Sequence, residues 1–174
     1  MIRSRRALTV IGVLLMMCSV VNAQAPLGAT DITGADVQEF LQGLLPNVVS
    51  DKPIRIVDVG GYQVGVYGVF RPKASPGNAI LHETKMTEIY YVLEGGGTLV
   101  TGGTLREPIN RQQSKNSTMI NNTSAGAEGG ISRHVSKGDM VIIPAGVVHW
   151  WSALDADVRY LIIRPDPENE QPLK

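Results

Sequence analysis

A chain of 174 residues with 43% hydrophobic and 18% charged residues has the composition of a globular fold and the length of one domain with additions. Its 16 basic residues balance 16 acidic ones, so no basic excess marks it as a nucleic-acid binder. The single cysteine, Cys18, excludes an internal disulfide framework.

Arg3, Arg5 and Arg6 precede an apolar run from Ala7 to Val21, and Val21-Asn22-Ala23 offers small residues for cleavage ahead of Gln24. This is the layout of a secretory signal peptide over residues 1–23. The run is shorter than the ~20 residues a spanning helix needs, so no stable membrane span is expected after cleavage. Ser4-Arg5-Arg6-Ala7-Leu8 also resembles a twin-arginine export signal. Either route makes the protein exported, to the periplasm or beyond. Losing residues 1–23 leaves 13 basic against 16 acidic residues, a net charge of −3, and no cysteine to serve as nucleophile or metal ligand.

Residues 24–30 read as a flexible leader. Asp31 or Thr33 can cap a helix within 31–46, whose Val37, Phe40, Leu41, Leu44 and Leu45 form one apolar stripe ending at Pro46. Such a helix packs outside a sheet or on a partner subunit. Short strands follow over 53–165. Ile54 to Val59 is rich in β-branched residues. Tyr62 to Phe70 alternates, with Gln63, Gly65, Tyr67, Val69 and Arg71 on one face.

The stretch His82 to Gly95 is expected to be a strand with His82, Thr84, Met86, Glu88 and Tyr90 on one face, joined through Gly95-Gly96-Gly97 to Thr98–Thr101 as a hairpin. Residues 102–130 lack an apolar period and read either as a surface insertion or as a loop lining a pocket mouth. Strands resume at His134-Val135, Asp139–Ile143, Val148–Ala153 and Val158–Ile163, and 166–174 reads as a frayed polar tail. One helix and many short strands indicate an all-β sandwich or barrel. Length and the absence of an internal repeat exclude two barrels.

His82, Glu88 and His149 supply two imidazoles and a carboxylate, a donor set that suits a divalent metal with open positions, such as Fe, Mn or Zn. Tyr90 and Trp151 share faces with Glu88 and His149 and read as pocket wall with Thr84. Glu88 and Tyr90 are the candidate catalytic groups, Tyr90 through its hydroxyl. Without a metal, a buried Glu88 must pair or be protonated, and it then becomes an acid–base candidate. His134 reads as a surface residue. Arg71, at a strand end, could bind a carboxylate.

These residues resemble the cupin superfamily, in its single-domain type. Its first motif, G-x5-H-x-H-x(3,4)-E-x6-G, is matched by His82, Glu88 and Gly95, with Gly77 one residue short of the leading glycine. Thr84 stands where the second histidine is expected. The second motif, G-x5-P-x-G-x2-H-x3-N, is matched by Gly138, Pro144, Gly146 and His149, with Ala153 in place of the Asn. The resemblance implies a double-stranded β-helix, or jelly-roll, barrel with one N-terminal helix outside it. It implies metal ligation by His82, Glu88 and His149, and it supplies no fourth ligand, Thr84 being suited instead to bonding a metal-bound water. It admits dioxygenase, decarboxylase, isomerase and lyase chemistry on a small organic molecule, with phenolic or other small organic acids favoured by an aromatic, apolar pocket. The alternative is a non-catalytic small-ligand-binding cupin with weak or no metal binding. A homodimer is compatible with exposed sheet edges.

Overall fold

The computed structural model describes residues 28–115 and 117–174. The expected signal peptide and most of the leader therefore lie outside the described residues. The described chain forms one helix, α1 (Gly34–Gln42), and thirteen strands. In chain order these are β1 (Ser50–Asp58), β2 (Gln63–Arg71), β3 (Ala79–Glu83), β4 (Glu88–Glu94), β5 (Gly96–Thr101), β6 (Thr104–Leu105) and β7 (Asn110–Gln113). They continue as β8 (Ile120–Ser124), β9 (Ala127–Glu128), β10 (Ile131–Ser136), β11 (Met140–Ile143), β12 (His149–Leu154) and β13 (Val158–Asp166).

Two antiparallel sheets face each other. One has the order β1-β2-β13-β4-β11 and the other β10-β5-β12-β3-β8-β7, with β6 and β9 as a separate pair. This is the expected all-β jelly-roll barrel. Alternation builds its core: Tyr67 and Val69 from β2, Tyr90 and Val92 from β4, Leu99 from β5, Trp151 from β12 and Tyr160 and Ile162 from β13 meet in one buried cluster.

α1 is shorter than expected. Thr33 caps it, its Oγ1 accepting from the Asp36 N–H at 3.1 Å while its own N–H donates to Asp36 Oδ2 at 2.9 Å. Gly43 ends it. Leu41 and Leu44 are buried with Phe70 on the outer face of the first sheet, whereas Leu45 is exposed. No helix among the described residues is long and apolar enough to cross a membrane.

Three expectations are corrected. First, His82 to Gly95 is not one strand. β3 ends at Glu83 and belongs to the six-stranded sheet, while β4 begins at Glu88 in the five-stranded one. The chain crosses between sheets at 84–87. It crosses again at Gly95, so β4 and β5 form no hairpin. Gly95 has φ +75°, and a Cβ there would overlap the carbonyl oxygen of Asp157, so only glycine turns this corner.

Second, 102–130 is not without structure. β8 pairs along the whole of β3, and β7 pairs with β8, so the insertion widens one sheet. Glu83 secures it by accepting both arms of the Arg111 guanidinium at 2.9 and 2.8 Å and the Asn122 amide at 2.9 Å. Third, the tail is docked. Ile56 and Lys174 exchange backbone hydrogen bonds at 3.0 and 3.1 Å, Thr118 N–H donates to the Glu170 carbonyl at 3.3 Å, and Gln171 is buried.

Candidate metal centre

The crossing at 84–87 brings the three candidate ligands together across the barrel. His82 on β3 and His149 on the neighbouring β12 come from one sheet, with ring centroids 5.2 Å apart. Glu88 opens β4 in the facing sheet. Its Oε2 lies 3.1 Å from His149 Nε2, and its Oε1 lies 3.9 Å from His82 Nε2. One donor atom from each residue falls within 4.8 Å of the others. Glu88 and His149 are 4% exposed, so the site is shielded from bulk water.

The outer nitrogen of each ring is fixed. His149 Nδ1 is 2.9 Å from the Val147 carbonyl oxygen, which can only accept, so Nδ1 carries a proton. His82 Nδ1 is 2.7 Å from Oδ1 of Asn121, its cross-strand partner on β8. Both Nε2 atoms therefore turn inward. In the neutral rings those Nε2 atoms are lone pairs facing a carboxylate. A proton or a cation between them relieves that contact. Rings held at Nδ1 with Nε2 free are the arrangement by which proteins present histidines to a metal. The donor set and its orientation fit a divalent ion.

A fourth residue, unanticipated from the sequence, completes the site. Arg164 on β13 is 8% exposed and donates from Nε to Glu88 Oε1 at 2.7 Å. Its Nη2 donates to Asp51 Oδ2 at 2.8 Å, and its guanidinium lies 4.2 Å over the Tyr67 ring. Burial alone would raise the pKa of Glu88. The Arg164 charge and the contact with His149 more than offset that and hold the carboxyl well below its ordinary range. Glu88 is thus ionised, which removes it as a proton donor near neutral pH. His82 is shifted the other way from an exposed histidine: burial lowers its pKa, with Glu88 only partly compensating, so its neutral, ligand-competent form is favoured.

The remaining expected site residues are placed differently from one another. Tyr90 is buried and its hydroxyl donates to Glu88 Oε2 at 3.2 Å; burial, then the Glu88 charge, pushes its pKa well above 10.0. It supports the carboxylate and does not line the adjoining cavity. Trp151 is in the main core, 5.8 Å from the Tyr160 ring, and is not pocket wall. Thr84, on the crossing, donates its hydroxyl to Glu170 and accepts from the Met86 N–H at 3.0 Å, so it anchors the tail and is not bonded to any of the three candidate ligands. His134 is exposed and paired with Asp155 at 2.6 Å, as expected for a surface residue. Arg71 donates to the Pro76 carbonyl at 2.7 Å, away from the site.

A cavity of about 180 Å³ adjoins the site. His82 and Arg164 line it, with Met86 from the crossing, Met119 and Asn121 from the insertion and Gln171 from the tail. Tyr67 is its one aromatic, so the expected aromatic wall is replaced by thioethers and polar groups. Its volume is near the ~150 Å³ that holds a benzene-sized guest.

Comparison with curated proteins gives no match. Among solved structures, the chain is similar to the Clostridium difficile EutQ protein, at 15% identity over 70% of each chain with a TM-score of 0.41. It is similar to the DMSP lyase DddQ from Ruegeria pomeroyi DSS-3, at 20% identity over 77% of this chain and 58% of that one, with a TM-score of 0.44. A cupin-like protein from Thermotoga maritima aligns at 22% identity over 72% of this chain and 74% of its own, with a TM-score of 0.42. The profile of the cupin family matches residues 66–173, from β2 through the tail, which takes in all three candidate ligands and Arg164. By that match and by its two-sheet barrel, this chain belongs to the cupin family.

Proposed function

We propose that this cupin is a metal-dependent enzyme acting on a small organic molecule, with His82, Glu88 and His149 as the ligands of one divalent ion. The observation that carries the reading is the inward convergence of two Nε2 atoms on an ionised, buried carboxylate, each ring being held from behind at Nδ1. A divalent ion held there supplies a Lewis acid beside the cavity. The protein's own groups do the rest. Asn121 and the Val147 carbonyl set the ring orientations. Arg164 and Tyr90 hold the carboxylate. The small, partly closed cavity limits substrate size and excludes water. Met86 and Met119 favour an apolar portion of the substrate, while Arg164 and Asn121 offer donors to an acid or carbonyl group.

Reconstitution with Fe(II), Mn(II) or Zn(II), followed by a turnover screen over small carboxylic and phenolic acids, tests this. Metal-dependent turnover that is lost in His149→Ala supports it. Tight metal binding without turnover of any compound that binds the cavity contradicts the enzymatic part.

A second reading, a non-catalytic small-ligand binder, is favoured by one observation: Arg164 already gives Glu88 a full counter-charge without an ion. It predicts ligand-induced stabilisation of metal-free protein. Export over residues 1–23 is part of the same proposal and rests on the sequence; a mature protein beginning at Gln24 outside the cytoplasm supports it, and an intact N-terminus refutes it. A homodimer is also proposed, from Met140 and Ile142, which stay exposed on the edge strand β11, with monomer mass in solution as the contrary result.

A further inference from the structure

Four segments far apart in the sequence, α1, β1, the insertion and the tail, meet at a groove open to solvent. Its volume is about 570 Å³, within the ~300–1,000 Å³ of small-molecule sites. The paired backbone hydrogen bonds between Ile56 and Lys174 hold the tail against β1 there. The groove shares no lining residue with the cavity beside His82. The two back onto each other, because Asp51, Ser114 and Gln171 line the cavity and their chain neighbours Lys52, Lys115 and Pro172 line the groove.

The lining has an apolar part and a cationic part. Phe40, Pro53, Ile56, Pro172 and Leu173 make up the first, and Leu173 stands 62% exposed beside the others. Lys52, Lys115 and Lys174 make up the second, and no lining residue is acidic. Among the described residues the one lysine paired with an acidic side chain is Lys85, with Glu168; these three pair with none. Lys174 Nζ instead donates to the Pro53 carbonyl at 2.6 Å and lies 5.6 Å from the Phe40 ring centroid, which fixes that ammonium over the groove. The chain without residues 1–23 has 13 basic against 16 acidic residues, so three unopposed cations at one groove run against its average charge.

Three ammonium groups gathered without a counter-charge repel one another, and an anion among them relieves that repulsion. An aliphatic chain lying on Leu173, Phe40 and the two prolines removes their apolar surface from water. A small inorganic anion would leave the apolar part unused, and a neutral hydrocarbon would leave the lysines unused. One molecule answers both parts when an acidic head ends an aliphatic chain. We propose that this groove binds an anionic amphiphile, a single alkyl chain ending in a carboxylate. The head lies among Lys52, Lys115 and Lys174, and the chain lies along Leu173 and Phe40. This inference depends neither on a metal at His82, Glu88 and His149 nor on the protein being an enzyme.

The test is calorimetric titration of the full mature chain with decanoate. One site is expected, with a Kd on the order of 10⁻⁵–10⁻⁴ M, as the efficiency of a ligand of about a dozen heavy atoms allows. Decanol should bind about tenfold more weakly, and acetate and decyltrimethylammonium should not bind. Raising the salt from about 0.05 to about 0.5 M should weaken decanoate severalfold. Lys52→Ser combined with Lys115→Ser, both at exposed positions, should weaken it about five- to tenfold, and Leu173→Ser by a similar factor. His82→Ala should bind decanoate as the unaltered chain does. Phosphatidylglycerol vesicles, set against phosphatidylcholine vesicles, separate a free amphiphile from a lipid surface. Retention on the anionic vesicles without binding of decanoate overturns the proposal in favour of a membrane surface. No binding of decanoate, or equal affinity for decanoate and decanol, also overturns it. So does binding that survives both the lysine pair and Leu173→Ser, or binding lost in His82→Ala, which would put the ligand in the cavity.

Discussion

Replacing Arg164 by Met isolates the group that balances the buried Glu88 charge. The methionine keeps much of the apolar stem that packs on Tyr67 but leaves Glu88 with no cationic side chain other than the two imidazoles. Breaking a buried ion pair by removing one partner costs about 3–5 kcal/mol. The Nε–Oε1 bond is of that kind, since both side chains are under 10% exposed. The bonds to Asp51 add little, because that carboxylate is 39% exposed and screened by water, worth at most ~1 kcal/mol. The guanidinium over Tyr67 contributes about 0.5–2 kcal/mol more, overlapping with the first term. A net loss of roughly 3–5 kcal/mol follows, or a fall in Tm of roughly 6–20 °C. The assay is urea unfolding of chelator-treated protein near pH 7 for the unaltered chain, Arg164→Met, Glu88→Gln and the double variant. Removing the Glu88 charge as well should restore part of the stability, with a coupling of about 0.5–3 kcal/mol. A loss under ~1 kcal/mol for Arg164→Met, or strict additivity of the two changes, would refute the reasoning.

Asn121→Leu should weaken metal binding about 10–100-fold while costing only ~1–2 kcal/mol of stability, because Asn121 fixes the His82 ring and is not itself a ligand; equal metal affinity in the variant would remove its assigned role. Metal-free protein should lose stability as pH falls below 6.5, because burial lowers the His82 pKa and the unfolded chain then binds the proton more readily. The Glu88 contribution, present above 4.5, is lost in turn as pH falls through its depressed folded value. Urea midpoints measured from pH 7 down to pH 4 should decline, with a flatter pH 5–7 portion in His82→Gln; a level profile contradicts both assignments. Gly95→Ala should cost more than ~2 kcal/mol through its positive φ and the collision with Asp157, and a Tm within a degree or two of the unaltered chain would show that the corner has another solution.

The barrel was legible because alternation and turn residues are local signals. So were His82, Glu88 and His149, although strand alternation is not what relates two of them. Spacing placed His82 and Glu88 on one strand face, whereas they oppose each other across the barrel because the chain changes sheets between them. Arg164 had a signal that was available: it continues the inward series Val158, Tyr160, Ile162 by one more step of two. The strand expected over Val158–Ile163 stops one residue short of it, ahead of Pro165. Asn121 had none. The buried positions of β8, Asn122 and Ser124, are polar and are satisfied by partners far along the chain, so the strand carries no apolar period. Docking of the tail likewise depends on Thr84 and Ile56, two partners that only the folded barrel brings near.

The account stands most directly on whether His82, Glu88 and His149 hold an ion. Calorimetric titration of chelator-stripped protein with Zn(II) and Mn(II), at fixed pH and repeated on His82→Ala and His149→Ala, measures this. One ion per chain, with affinity reduced by at least about 100-fold in each variant, about 2.7 kcal/mol of lost binding, is the predicted result. No binding in the unaltered chain, or binding that both variants retain, would contradict it.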